Sequence, residues 1–198
     1  QVRDQANGRL TAAREEEARL LEQQLMQALR PMGLANVRFA VAITPAPPGE
    51  DGADAVQFQF SANPGVPLAP LAEVASGGEM SRFLLALKTC LAAADSHVTL
   101  LFDEIDTGVS GRVSGAMAEL LQRLAQQRQV FCVTHQPLVA AAADHHFRVS
   151  KQVVEGITHT RVSHLRDTLA RQAELAELAG GDSGETRSYA ASLLKRAG

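Results

Sequence analysis

Ser76-Gly77-Gly78-Glu79, Asp103-Glu104 and His135 are the residues of this chain whose types and spacing could do chemistry. In the first group, a Ser followed three residues later by Glu is the pattern of a helix capping box. Two glycines in a first helical turn cost up to about 1 kcal/mol each against alanine, so a cap alone does not account for them. Glycines there let the backbone come close to an anion, and the free N–H groups and helix dipole favour negative charge. The segment reads as a cap and as a hook for a terminal phosphate. Asp103 and Glu104 close an apolar run, Leu100-Leu101-Phe102. Ligands in open α/β sheets gather at the carboxyl ends of strands, although an ordinary strand-to-loop transition also carries acids. Neighbouring strand residues face opposite sides, so the two acids would divide their work. One could hold Mg²⁺ through its water shell. The other could orient or deprotonate an attacking water, worth about 10²–10⁴ in rate. His135 ends a second apolar run, Val130 to Thr134, and could donate to a γ-phosphate or to the attacking water. A lone His after a strand is more often structural. His145-His146 has no carboxylate or Cys at ligand spacing, which disfavours a metal site there.

These groups need a strand–helix–strand frame. The pattern predicts a helix from about Ser76 to Ala94, a strand at Val98 to Phe102, a helix from about Ser110 to Arg128 and a strand at Gln129 to Thr134. The near-continuous apolar strands are those of a parallel sheet buried on both faces. Upstream, Leu10, Ala13, Leu20, Leu21, Leu25, Ala28 and Leu29 recur at helical spacing through residues 1–30, stopped by Pro31 and Gly33. That narrow stripe fits a coiled-coil strand or a surface helix packed on its own domain. Strands are expected at Val37 to Thr44 and Val56 to Phe60, with a loop from Pro45 to Gly52. After His135 come a short helix with Pro137 in its first turn and a hairpin, Phe147 to Val153 and Ile157 to Val162. Two closing helices, Asp167 to Ala179 and Thr186 to Arg196, are split by Gly180-Gly181.

Composition narrows the classes. The 198 residues suffice for one domain with a real core, and 4% aromatics without Trp predict an aliphatic one. A net charge of −3 gives no global attraction to nucleic acid, and the Lys and Arg are scattered, so no DNA-contacting residue is singled out. Cys90 and Cys132 fit no metal motif and read as buried free thiols of a reducing compartment. No signal peptide or apolar run near the ~18 residues of a membrane span is visible, which points to the cytoplasm. The chain enters mid-helix at Gln1 and reads as a piece of a longer protein.

The three motifs, in this order, resemble the signature motif, Walker B strand and switch histidine of an SMC-like ABC ATPase head. The wording Val-Ala-Ser-Gly-Gly-Glu-Met-Ser-Arg (74–82), Phe-Asp-Glu-Ile-Asp-Thr-Gly-Val-Ser-Gly (102–111) and Cys-Val-Thr-His-Gln-Pro (132–137) is similar to the bacterial RecN family of recombination and DNA-repair ATPases. No G-x-x-x-x-G-K-[ST] phosphate loop occurs in the chain. The resemblance implies the C-terminal lobe of such a head, an α/β fold with a mostly parallel sheet flanked by helices (31–198), and the base of a coiled-coil arm (1–30). It implies two heads sandwiching two ATPs, completed by the chain's own N-terminal lobe, and binding to DNA ends or single-stranded regions of the bacterial nucleoid. Carried over by position, Ser76, Gly77, Gly78 and Glu79 would meet the nucleotide across the dimer. Asp103 would serve Mg²⁺, Glu104 would be the catalytic base and His135 the switch histidine.

One departure from the wider pattern stands out. Many such heads carry Asp seven residues after the Walker B Asp, where this chain has Ser110; Asp106 is out of register. Whether either residue communicates between sites is open at this level. A transporter ATPase would share the motifs, but its signature usually has Gln at the position of Glu79, and the entry helix is not expected there. An ATP-gated DNA-tethering module with little hydrolysis is the third reading.

Overall fold

The computed structural model describes residues 1–73, 78–91, 98–103, 105–109, 111–154, 156–181 and 183–197. They form two compact units, Gln1–Val98 and Thr99–Gly198.

In the first unit α1 (Val2–Leu29) matches the expected helix and runs into a 3-10 turn, Arg30–Met32, capped by Gly33 at φ 76°. Ala18, Leu25 and Leu29 are buried, so the apolar stripe is used within the unit over its C-terminal part. The helix packs on the hairpin of β1 (Arg38–Gly49) and β2 (Gly52–Ser61), to whose outer edge β3 (Ala69–Pro70) adds an antiparallel pair. The expected loop from Pro45 to Gly52 is corrected here: both strands extend through it, and only residues 50 and 51 turn. A register shift between Pro45 and Gly49 accommodates prolines that cannot donate to a ladder. Gly52 takes φ 105°, and a Cβ there would lie 2.7 Å from Leu10 of α1, so helix and hairpin approach closely at this point.

α2 (Gly78–Cys90) buries Arg82, Phe83, Leu85, Ala86 and Leu87. Phe83 is fully enclosed, its ring 5.6 Å from that of Phe39 and 4.6 Å from that of Phe60. This corrects the expectation of an aliphatic core for this unit. Aromatics are few, but three of them converge where Phe83 of α2 meets Phe39 of β1 and Phe60 of β2, and such pairs add to area burial.

The second unit opens with the expected strand–helix–strand: β4 (Leu100–Phe102), α3 (Arg112–Ala125) and β5 (Val130–Cys132). The strands pair in parallel, Leu100 with Val130, Leu101 with Phe131 and Phe102 with Cys132. This is the one parallel pairing among the described residues; the overall sheet character is mixed. Nor is the pair buried on both faces. Phe102 is covered, whereas Leu101 is 69% exposed, Phe131 47% and Val133 57%. Period-2 alternation puts these three on one side, so one apolar face stands open.

α4 (Pro137–Ala141) follows with Pro137 at its start, where a missing N–H costs nothing. β6 (His146–Val154) and β7 (Ile157–Leu165) form the expected hairpin. α5 (Thr168–Leu178) is capped by Asp167, whose carboxylate accepts from Ala170 N at 2.7 Å. α6 (Gly184–Ala197) begins at a reciprocal cap: Thr186 N donates to Ser183 Oγ and Ser183 N to Thr186 Oγ1. The core between α4, α5 and α6 is aliphatic as expected, built on Ala140, Ala141, Leu175, Ala176, Ala190 and Leu193. No described helix is long and apolar enough to cross a membrane.

Candidate phosphate-site residues

Of the residues singled out by sequence, Gly78, Glu79, Asp103 and His135 are described; Ser76, Gly77, Glu104 and Ser110 lie outside the described residues. Gly78 and Glu79 form the first turn of α2 in the first unit, with Glu79 exposed. That helix is fixed by Phe83 one turn further on. Arg82 lies between, largely buried; burial lowers its pKa and the Glu79 carboxylate partly offsets this.

In the second unit Asp103 follows β4 directly and is exposed. His135 lies beyond the end of β5, the strand hydrogen-bonded to β4, and the ladder continues past the regular strands through Val133 N to Phe102 O at 2.9 Å. The parallel pair therefore carries both groups at its carboxyl end, as the sequence reading required.

What binds the two strand ends together is Asp106. It lies in the turn of residues 105–108, and its carboxylate meets the segment that follows β5. Asp106 is 1% exposed. Its Oδ2 accepts from Thr134 Oγ1 and, at 3.0 Å, from the backbone N–H of His135; the ring Nδ1 of His135 lies 3.4 Å from the same oxygen. Thr134 Oγ1 in turn accepts from Gln136 N at 3.0 Å. Gln136 donates through Nε2 to Val109 O at 3.1 Å, and its Oε1 accepts from Ser114 Oγ at 3.4 Å. Sequence reasoning weighed Asp106 only for communication between sites, and did not single out Thr134 or Gln136. The available signal was an acid three residues after Asp103 and a polar run, Thr134 to Gln136, closing an apolar strand.

The setting is electronegative. Burial, then the carboxylates of Asp106 and Asp103, push the Cys132 thiol up to about 12, so it stays neutral. Burial also raises Cys90. Both cysteines are free and half-buried rather than fully buried. No group of three or more His, Cys, Asp or Glu able to hold a metal occurs among the described residues. Mg²⁺ keeps most of its waters and takes one or two carboxylates together with substrate phosphates. An exposed Asp103 can be one of these.

No family model matches the chain. Three curated relatives, each called DNA repair protein RecN, match most of it. That of Synechocystis is 46% identical over 96% of this chain and 35% of its own length. That of Deinococcus radiodurans is 46% identical over 89% and 30%, and that of Halalkalibacterium halodurans 40% identical over 93% and 34%. The chain thus spans about a third of the length of the relatives it matches. Among solved structures, the Smc head domain with a coiled coil and joint from Pyrococcus yayanosii superposes with a TM-score of 0.54 at 19% identity, over 93% of this chain and 30% of that one. The Smc head domain with an extended coiled coil from Pyrococcus furiosus gives 0.50 at 17% identity, over 77% and 36%. The fold is that of an SMC head, and the relatives disfavour the transporter reading.

Proposed function

We propose, for a chain that belongs to the RecN family of DNA repair proteins, that residues 31–198 are the C-terminal lobe of an SMC-like ATPase head and residues 1–30 the base of its coiled-coil arm. The reaction is hydrolysis of ATP to ADP and phosphate, coupled to DNA binding or tethering during double-strand break repair. The observation that carries this reading is the pairing of β4 with β5, which sets Asp103 and His135 at one sheet end in a family of DNA repair proteins.

Each residue has a distinct task. Ser76, Gly77, Gly78 and Glu79 meet the γ-phosphate bound by a second head. Asp103 helps hold Mg²⁺, which when bound neutralises phosphate charge. Glu104 orients and deprotonates the attacking water. His135 contacts that water or the phosphate.

Two features support completion by other parts. The chain has no phosphate loop, so nucleotide must be held by the N-terminal lobe. Leu101, Phe131 and Val133 offer that lobe an open apolar face beside the site.

The test is Glu104→Gln in the complete protein. ATP binding and ATP-dependent head pairing should persist while turnover falls by about 10²-fold or more. Unchanged turnover removes Glu104 from the role of base. No ATP-dependent pairing in the unmodified protein removes the two-head site.

A further inference from the structure

We infer that Asp106 and Gln136 are positioning residues for His135, the two arms of a clasp that fixes the backbone around it to the turn after β4. The inference rests on the proposed role of His135 in hydrolysis and names the groups that hold it in place for that role.

Past the strands themselves the backbone ladder gives out. Among the described residues its last rung is Val133 N–H to Phe102 O at 2.9 Å. His135 lies beyond that rung, and its side chain is 67% exposed, so burial of the ring does not set its place. Side chains take over from the ladder. On one arm, Asp106 Oδ2 accepts from the backbone N–H of His135 at 3.0 Å and from Thr134 Oγ1. Thr134 Oγ1 accepts in turn from Gln136 N–H at 3.0 Å. Residues 134 to 136 thus hang from one buried carboxylate. On the other arm, Gln136 Nε2 donates to Val109 O at 3.1 Å, and its Oε1 accepts from Ser114 Oγ, in the first turn of α3, at 3.4 Å. Ser114 is fully buried. The arms reach the two ends of one closed turn, because Val109 N–H donates to Asp106 O at 3.3 Å.

A single arm would leave the segment free to pivot about it, and two arms do not. Asp106 is the firmer of them, since hydrogen bonds to an ionised acceptor are stronger than neutral ones. Displacing a group that acts on reacting atoms by about 1 Å can cost about 10²-fold in rate. Asp106 and Gln136 need not touch those atoms to have that effect. Asp106 is also committed within its own chain: at 1% exposure it offers no surface to a second head.

The experiment uses the complete protein. Thr134→Val keeps the shape of the side chain and removes its hydroxyl from the first arm; Gln136→Leu removes both side-chain bonds of the second. Each should lower kcat for ATP hydrolysis by about 10- to 100-fold with the KM for ATP nearly unchanged. Thr134→Ser should recover most of the first loss, and neither variant should cost anything further in a His135→Ala background. Should Gln136→Leu not fold, Gln136→Glu takes its place, keeping an acceptor for Ser114 and losing only the donor to Val109. In the unmodified protein the His135 amide should exchange its hydrogen about tenfold or more slowly than an open chain. An unprotected His135 amide overturns the inference, whatever the stability of the variants. So do equal losses with and without His135, and so does an unmodified kcat in either variant. His135→Ala turning over at the unmodified rate would instead sink the hydrolytic role of His135, and the exchange result then decides the clasp.

Discussion

Asp54 fastens α1 to the β1–β2 hairpin, and its removal should loosen the helix by a calculable amount. Thr11 Oγ1 donates to both carboxylate oxygens of Asp54, at 3.0 and 2.8 Å, and Arg14 Nη1 donates to Oδ2 at 3.2 Å. The Asp54 side chain is 6% exposed and that of Arg14 25%. At 3.2 Å and an effective dielectric of about 20 the bare attraction is about 5 kcal/mol, most of it offset by desolvation. Hydrogen bonds to a charged group contribute about 1.5–3 kcal/mol net. Asp54→Ala leaves neither partner bare, since the single Thr11 hydroxyl proton can turn to Asn7 O and Arg14 still bonds Asp51 O. The expected loss is therefore about 2–3 kcal/mol, toward the low end for two such bonds. Read as amide hydrogen exchange across residues 10–20 of the complete protein, that is a fall in protection of roughly 30- to 150-fold. A double-mutant cycle with Arg14→Met should return a coupling of about 1 kcal/mol or more. A loss of protection under about threefold, with coupling near zero, would class the contact with exposed ion pairs and refute the reasoning.

Two further outcomes test the packing and the titration behaviour. Phe83→Ala should destabilise by about 3–5 kcal/mol in guanidinium unfolding, because a fully buried ring is lost between Phe39 and Phe60; a cost below about 1 kcal/mol would mean that α2 is held by something else. His146 is buried, and burial followed by Arg171 lowers its pKa from the ordinary 6.5. The unfolded chain then takes up a proton first as pH falls, so stability should be full above about 6.5 and decline below it. His146→Gln should flatten that slope in melting curves taken across pH, and an unchanged slope would remove His146 as its source.

The sequence alone determined the elements whose signals are local. The apolar period of α1 and its stop at Pro31 and Gly33, the strand–helix–strand around Asp103 and His135, Pro137 at the start of α4 and the hairpin turning at Gly156 were all legible because each is set by a few consecutive residues. So was the resemblance to RecN proteins, carried by three short motifs in one order. What the tertiary structure decided depends on residues far apart in the chain. The β1–β2 strands run through Pro45–Gly49 because cross-strand partners and a register shift sustain them, against a local composition that reads as loop. Three scattered phenylalanines become one cluster only when Phe83 of α2 meets Phe39 and Phe60 of the hairpin. The open face at Leu101, Phe131 and Val133 was misread as buried, because an apolar run reports a face that needs cover and not whether this chain supplies it. Asp106 gained its place in the same way. Three residues after Asp103 it is one more acid in a loop; in the fold it is buried and accepts from the backbone N–H of His135, 29 residues further along the chain, at 3.0 Å. Periodicity encodes which face a residue takes, but which carboxylate meets which imidazole is set by the parallel pairing of two strands.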